Sequence, residues 1–195
     1  MFYTNVANAT VHRTLKPLYE RFQATPVATF LDPNETGQIF TGMVLAKTGP
    51  DVVSLCDGAT QVPWGLSALD RNTITINDLN GQSPDLQPFS VWIGGPDAFF
   101  TVYATAVPTT VLANQSQGGF DINAISAGVP TDGSRGTGTT VTALYAGTGT
   151  QKGLLTSTVP TWTGNAGQGP RPIAELAQVV ASNQIIVRLL APALW

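Results

Sequence analysis

Residues 38–68 read QIFTGMVLAKTGPDVVSLCDGATQVPWGLSA, and the fold class follows from them. Gln38–Ala46 is rich in apolar side chains and stops at Lys47-Thr48-Gly49-Pro50-Asp51, a string of turn formers. A second apolar run, Val52–Leu55, stops at Asp57-Gly58, and a third, Val62–Ala68, follows at once. Short apolar runs bounded by Gly, Pro and Asp fit strands joined by tight turns. Proline presets φ at such corners, glycine tolerates positive φ, and Asp bonds its own downstream backbone.

The same grammar continues outward. Thr73-Ile74-Thr75-Ile76 alternates polar and apolar, the mark of a half-buried strand, and Asn80-Gly81 is a hairpin-type turn. Ser90–Ile93 runs into Gly94-Gly95-Pro96, and Ala98–Val107 forms a longer strand before Pro108. Strands resume at Thr139–Tyr145, turn at Gly147–Thr150, and return at Gly153–Thr156. In the closing block, Ile173, Leu176, Ala177 and Val180 match helical spacing after Pro172. Ser182-Asn183 is nevertheless a good turn and Gln184–Leu190 is strongly β, so strand–turn–strand is preferred. Turns recurring every 8–12 residues or so predict an all-β, compact antiparallel β-barrel or sandwich.

Composition agrees. The chain has 195 residues, 43% of them hydrophobic, enough for a sizeable core. Only 11% are charged, less than half of the roughly 25% usual in soluble domains, so partners are expected to cover much of the surface. A net charge of -3 with nine basic residues gives no footprint for nucleic acid. Uncharged stretches are interrupted by Gly, Pro, Thr and Asn, so no membrane span is expected. The start, MFYTNVANATVHR, has no secretory pattern, which leaves the Asn-X-Ser/Thr triplets at Asn8, Asn34 and Asn114 without weight.

Two segments break the β grammar. Residues 1–25 form an N-terminal arm ahead of a domain spanning 26–195. Its stretch 11–23 holds His12, Arg13, Lys16, Glu20 and Arg21, and Pro17 prevents one continuous helix. Leu15, Leu18, Tyr19 and Phe22 make a short apolar face after that interruption; the plainer alternative is a frayed terminus packed on its own domain. Residues 113–138, dominated by Asn, Gln, Ser, Gly and Thr, read as a polar surface loop inserted in the domain.

An internal repeat is also visible. Gly42–Ala46, a glycine turn, Val52–Leu55, the Pro63-led strand and Ile74–Ile76 run in the same order as Thr140–Ala146, a glycine turn, Gly153–Thr156, the Pro172-led strand and Ile185–Val187. Two half-barrels closing on each other would produce this, and so would chance in a Gly/Pro-rich β protein.

Catalytic chemistry finds little support. One His and one Cys exclude a disulfide scaffold and any ordinary zinc site. His12 lies in the arm, no G-x-S-x-G elbow exists, and Cys56 at a strand end reads as a buried, inert thiol. The Asp residues sit in turn contexts such as Asp32-Pro33-Asn34 and Asp132-Gly133, although a glycosidase pair could hide among them. Gly147–Gly153 lacks the order of a phosphate loop, Gly133–Gly138 opens no helix, and Asn77–Gly81 fails as a calcium loop. The reading is of no enzyme, no cofactor and no metal. Trp64, Trp92, Phe99, Phe100 and Tyr103 are read as core. Trp162, in a Gly-rich loop, and Trp195, the final residue, are candidate interface anchors as well as candidate lids.

Three stretches carry a family resemblance: Gly42–Ala46, Val53-Ser54-Leu55-Cys56-Asp57-Gly58 and Val62–Ala68. With Gly153–Ser157, Arg171–Ala174 and Ile185–Leu190 they resemble the barrel module of tailed-bacteriophage capsid decoration, or head cement, proteins. The resemblance spans about 38–76 and 139–190 and implies a β-tulip-like fold seated on the outside of an icosahedral shell. It further implies the major capsid protein as partner, homo-oligomers with trimers favoured, and an arm reaching across a neighbour. Within that arm Arg13, Lys16, Leu18, Tyr19, Arg21 and Phe22 would form a mixed cationic and apolar strip. A head-fibre or tail module, or a host-surface carbohydrate binder using Trp162 and the 113–138 loop, is the alternative.

Overall fold

The computed structural model describes residues 25–35, 39–68, 88–95, 98–104, 119–120, 142–181 and 184–191. Ten strands cover them: β1 Thr25–Leu31, β2 Val44–Gly49, β3 Val52–Leu55, β4 Pro63–Ser67 and β5 Pro88–Ile93, then β6 Phe99–Tyr103, β7 Thr142–Ala146, β8 Leu155–Thr156, β9 Ala174–Ala181 and β10 Gln184–Leu189. The first five close a barrel in the order β1-β3-β2-β4-β5, and the last five form an open sheet in the order β6-β10-β9-β7-β8. The all-β expectation holds, with one amendment: the barrel is closed by a parallel pair, β1 with β3 at Phe30↔Val52 and Leu31↔Val53.

Local chemistry explains the elements. In β1 the burial alternates from Ala28 through Leu31, exposed and buried in turn, as the pleat requires. Pro26 lies opposite Trp92 on β5 but precedes the short stretch paired with β3, so its missing N–H leaves the ladder intact. The β2–β3 corner is Pro50-Asp51, with Asp51 at φ 56, an angle that Asp tolerates better than most residues. The closing block is the antiparallel hairpin β9–β10, with register shifts at Gln184/Ile185 and Ile186/Val187.

The two sheets are the same object twice. In the first half, one row of cross-strand partners runs Val44–Leu66–Trp92–Pro26 over β2, β4, β5 and β1. In the second, Ala143–Glu175–Arg188–Phe99 runs over β7, β9, β10 and β6. Counting on from these rows, Ser54 opposite Ala46 matches Thr156 opposite Tyr145. The count also closes around the barrel. Leu31 meets Val53 directly, whereas its counterpart Ala104 meets Leu155 through one interposed residue, Phe120. The sequence repeat is therefore real, and its last member needs correcting: the counterpart of β10 is β5, whereas Ile74–Ile76 lies outside the described residues.

Packing differs between the halves. Leu31, Leu45, Val53, Leu55, Phe89 and Val91 fill the closed barrel. Phe100, Val102, Leu144, Leu155, Ile185 and Val187 form the second core, completed by Val44, Ala46, Cys56 and Leu66 from the first half. Alternation on β2 makes this possible, because Leu45 points into the barrel while Val44 and Ala46 point into the neighbouring core. Trp92 joins the same core, its ring 5.6 Å from that of Phe100. The seam is tight enough to need glycine. A Cβ on Gly58 would stand 2.0 Å from the Ala146 carbonyl oxygen, and one on Gly119 would stand 2.1 Å from that of Gly42.

Gly119 and Phe120 correct another expectation. Residues 113–138 were read as a polar surface loop, yet Phe120 is 2% exposed and the Gly119 carbonyl accepts the Leu155 N–H at 2.7 Å. A strand bordering the second core cannot pair across the gap, so this dipeptide fills it. The rest of 113–138 lies outside the described residues.

Candidate functional site

The arm residues Arg13, Lys16, Leu18, Tyr19, Arg21 and Phe22, and Trp195, all lie outside the described residues. The described residues begin at Thr25, which opens β1, whose outward positions Pro26, Ala28 and Phe30 are exposed. Trp162 sits half-buried in the 157–170 loop, its indole Nε1–H donating to the Asn165 carbonyl at 3.1 Å. That loop is pinned to the first half, because the Thr163 and Gly164 N–H groups both donate to the Ala59 carbonyl, at 2.8 and 3.1 Å. Trp162 is thus held, half-buried, in a loop anchored to the first half.

Tyr103 departs from its reading as core. It is 39% exposed, and Phe30, on the corresponding strand of the other half, is 41% exposed. Trp64 is half-buried, with the Lys47 ammonium 5.2 Å from its ring centroid, a cation–π contact at the barrel rim. Phe100 is fully buried as expected.

The titratable groups are held in structural roles. Glu35 Oε2 accepts the Leu55 N–H at 3.1 Å and the Lys152 ammonium at 3.3 Å, which ties the β1–β2 connection to the second half. Glu175 and Arg188 pair across β9 and β10. The Asn34 N–H donates to the Asp32 carboxylate at 2.9 Å and holds that carboxyl below its ordinary range. Cys56 is completely buried, and burial, helped by the neighbouring Asp57 charge, pushes its thiol up to about 12. It is protonated and shielded at neutral pH, the inert state that its strand-end position predicts.

One recess of about 260 Å³ lies beside the β7 end, lined by Ala146, Gly147, Thr148, Gln151, Thr156, Thr158 and Pro160. It presents hydroxyl and amide groups with no ionisable side chain, so it has nothing to move a proton with at neutral pH. Among the described residues no group of three or more His, Cys, Asp or Glu is placed to hold a metal ion. No helix among them is long and apolar enough to cross a membrane.

The described surface consists of sheet faces and turns, with Phe30, Tyr103, Val159 and Val180 exposed, around a closed barrel and an open sheet. The comparison with known families gives it a place: residues 1–119 match the family of phage cement proteins. The match covers more than half of the chain, and the chain belongs to that family. It takes in residues 1–24, the whole first barrel and β6, and stops at Gly119, just before Phe120, which bridges Ala104 and Leu155. A comparison with curated proteins finds no match for the chain. The role is therefore structural and capsid-associated.

Proposed function

We propose that the protein binds the outer surface of a bacteriophage capsid and cements contacts between major capsid subunits, without catalytic activity. The observation that carries this reading is the cement-family match over residues 1–119, which includes the arm as well as the barrel. In this reading the arm supplies reach. Arg13, Lys16 and Arg21 meet acidic groups of the shell, while Leu18, Tyr19 and Phe22 bury apolar surface beside them. Trp162 and Trp195 serve as further anchors toward the shell or a second copy, and the free protein assembles as a homo-oligomer, a trimer by preference.

An extended arm suits this task because it gains contact area without a core of its own. Ordering it on binding costs entropy, which many simultaneous contacts on a lattice offset. Low overall charge fits a surface that is largely covered. The test is deletion of residues 1–24. Capsid binding should be lost while the thermal melt of the β-structure stays put. Undiminished binding by the truncated protein would remove the arm from the account. Binding of free protein to a glycan array would favour the carbohydrate-binding alternative.

A further inference from the structure

We infer that the open edge of β1 at Ala28 takes up an extended segment of the major capsid subunit as an added strand. β1 outruns its partner. It pairs with β5 over Thr25–Phe30, but β3 meets it only from Phe30↔Val52 onward. Main-chain groups point to alternate sides along a strand, and the Phe30 and Asp32 N–H groups donate to the carbonyls of Asp51 and Val53, at 2.7 and 2.8 Å. Even-numbered residues of β1 therefore turn their N–H and C=O toward the β3 side, and odd-numbered ones toward β5. At Ala28 no strand stands on that side, because β3 begins at Val52 and Asp51, at φ 56, turns the chain toward β2. Among the described residues neither the N–H nor the C=O of Ala28 has a partner, and the residue is exposed.

The prolines follow the same division. Pro26, opposite Trp92, and Pro88, opposite Phe30, both occupy positions whose main-chain groups point away from the β1–β5 ladder, which loses nothing by them. On its open side β1 thus offers three groups in a row: the Pro26 C=O, then the N–H and C=O of Ala28. Unpaired groups at this spacing are complementary to another extended backbone, the chemistry of strand addition. Pro26, without a donor, ends the row on one side and the Pro50-Asp51 corner ends it on the other, so the added segment is short. A second copy does not fit through the same edge. Two β1 strands paired about Ala28 would each bring Phe30 opposite Pro26, and β3 already lies on that side of Phe30. The added strand therefore comes from a chain of another kind. Resting on the capsid reading above, it is an extended segment of the major capsid subunit.

The experiment is co-sedimentation of the full-length chain with undecorated capsids, comparing wild type, Ala28→Pro and Ala28→Ser, with a thermal melt of each. Proline at 28 removes a donor from the open edge alone, as at the non-bonded positions of Pro26 and Pro88, whereas serine keeps it. Ala28→Pro should melt near wild type and bind about threefold to tenfold more weakly, and Ala28→Ser should bind like wild type. Amide hydrogen exchange on the wild type gives a second readout that needs no substitution. The Ala28 N–H should exchange fast in the free protein and be protected on the capsid, while those of Val27 and Thr29, bonded to β5, stay slow in both. Capsid binding with Ala28 still exchanging fast, or undiminished in a well-folded Ala28→Pro, would overturn the edge and leave the cement function standing. Protection of Ala28 that grows with the concentration of free protein would mark a self-association edge, also against the inference. Failure of wild type to bind would overturn the capsid reading, and this inference with it.

Discussion

The first half of the molecule closes on itself, and the second half does not. β1 pairs directly with β3, whereas β6 reaches β8 only through Phe120, and the second core is finished by side chains from the first half. The residues at equivalent positions carry the mark of this asymmetry. Leu66 faces Trp92 where the first half leans on the second, and the corresponding pair in the second half is Glu175 with Arg188. One is apolar because it is covered by another sheet; the other is an ion pair because its face meets water or a partner. A repeat of identical topology thus becomes one cooperative body by making one outer face greasy and leaving its counterpart polar.

Removing Phe120 should break the comparison most severely. Phe120→Ala takes a fully buried ring from the gap between β6 and β8, an expected loss of about 3–5 kcal/mol by denaturant titration. By contrast Phe30→Ala, on the outer face of the self-closed barrel, should stay within about 0.5 kcal/mol of wild type. A Phe120→Ala loss below about 1 kcal/mol would mean that the second half closes without it. Next comes the seam: Gly58→Ala sets a methyl group against the Ala146 carbonyl and should cost about 1–3 kcal/mol. The melt should remain a single transition, since both halves share that seam; two separated transitions would show that they unfold independently.

Smaller effects sharpen the picture. Glu35→Gln removes the ion pair to Lys152 but keeps an oxygen for the Leu55 N–H, so the cost should be below about 1 kcal/mol and shrink with salt. Cys56 should have no effect near neutral pH and a distinct one in alkali. Its folded-state thiol titrates near about 12, against an ordinary value of 9.0. Above pH 9 the unfolded chain therefore releases a proton that the folded chain keeps, and stability falls as pH rises toward 12. Cys56→Ala should lessen that alkaline decline, and native protein should resist thiol reagents until it unfolds.

Much of this was legible in the sequence where neighbours in the chain are neighbours in the sheet. The Gly-Pro-Asp corner and the Pro63-led strand each announce themselves within a few residues, and the β2–β3 hairpin follows; β9 and β10 pair as expected, while the expected Ser182-Asn183 turn lies outside the described residues. What escaped depends on distant pairing. Nothing local in β1 says that it will meet β3 in parallel, skipping β2, which follows it in the chain. Phe120 is a single aromatic in a polar stretch, with no periodicity to flag it, and its burial is decided by a gap between strands far apart in sequence. Tyr103 was misread as core because an apolar run does not tell which side of a strand faces water. The repeat was visible as an order of events, but its true partner strand, β5, needed the register. For the candidate site, Trp162 was correctly picked out as a loop residue, while its bond to the Asn165 carbonyl was not foreseeable. The exposed pair Phe30 and Tyr103 was missed, and the signal that could have found it is the repeat itself, carried one strand further toward the N-terminus.

The proposed role of the closed barrel and its companion sheet is that of a capsid cement. Electron-microscopic reconstruction of undecorated phage capsids incubated with the full-length protein tests it most directly. The predicted result is saturable density at regular lattice positions, into which the barrel and its companion sheet fit. Bare capsids beside a stable, well-folded free protein would contradict it.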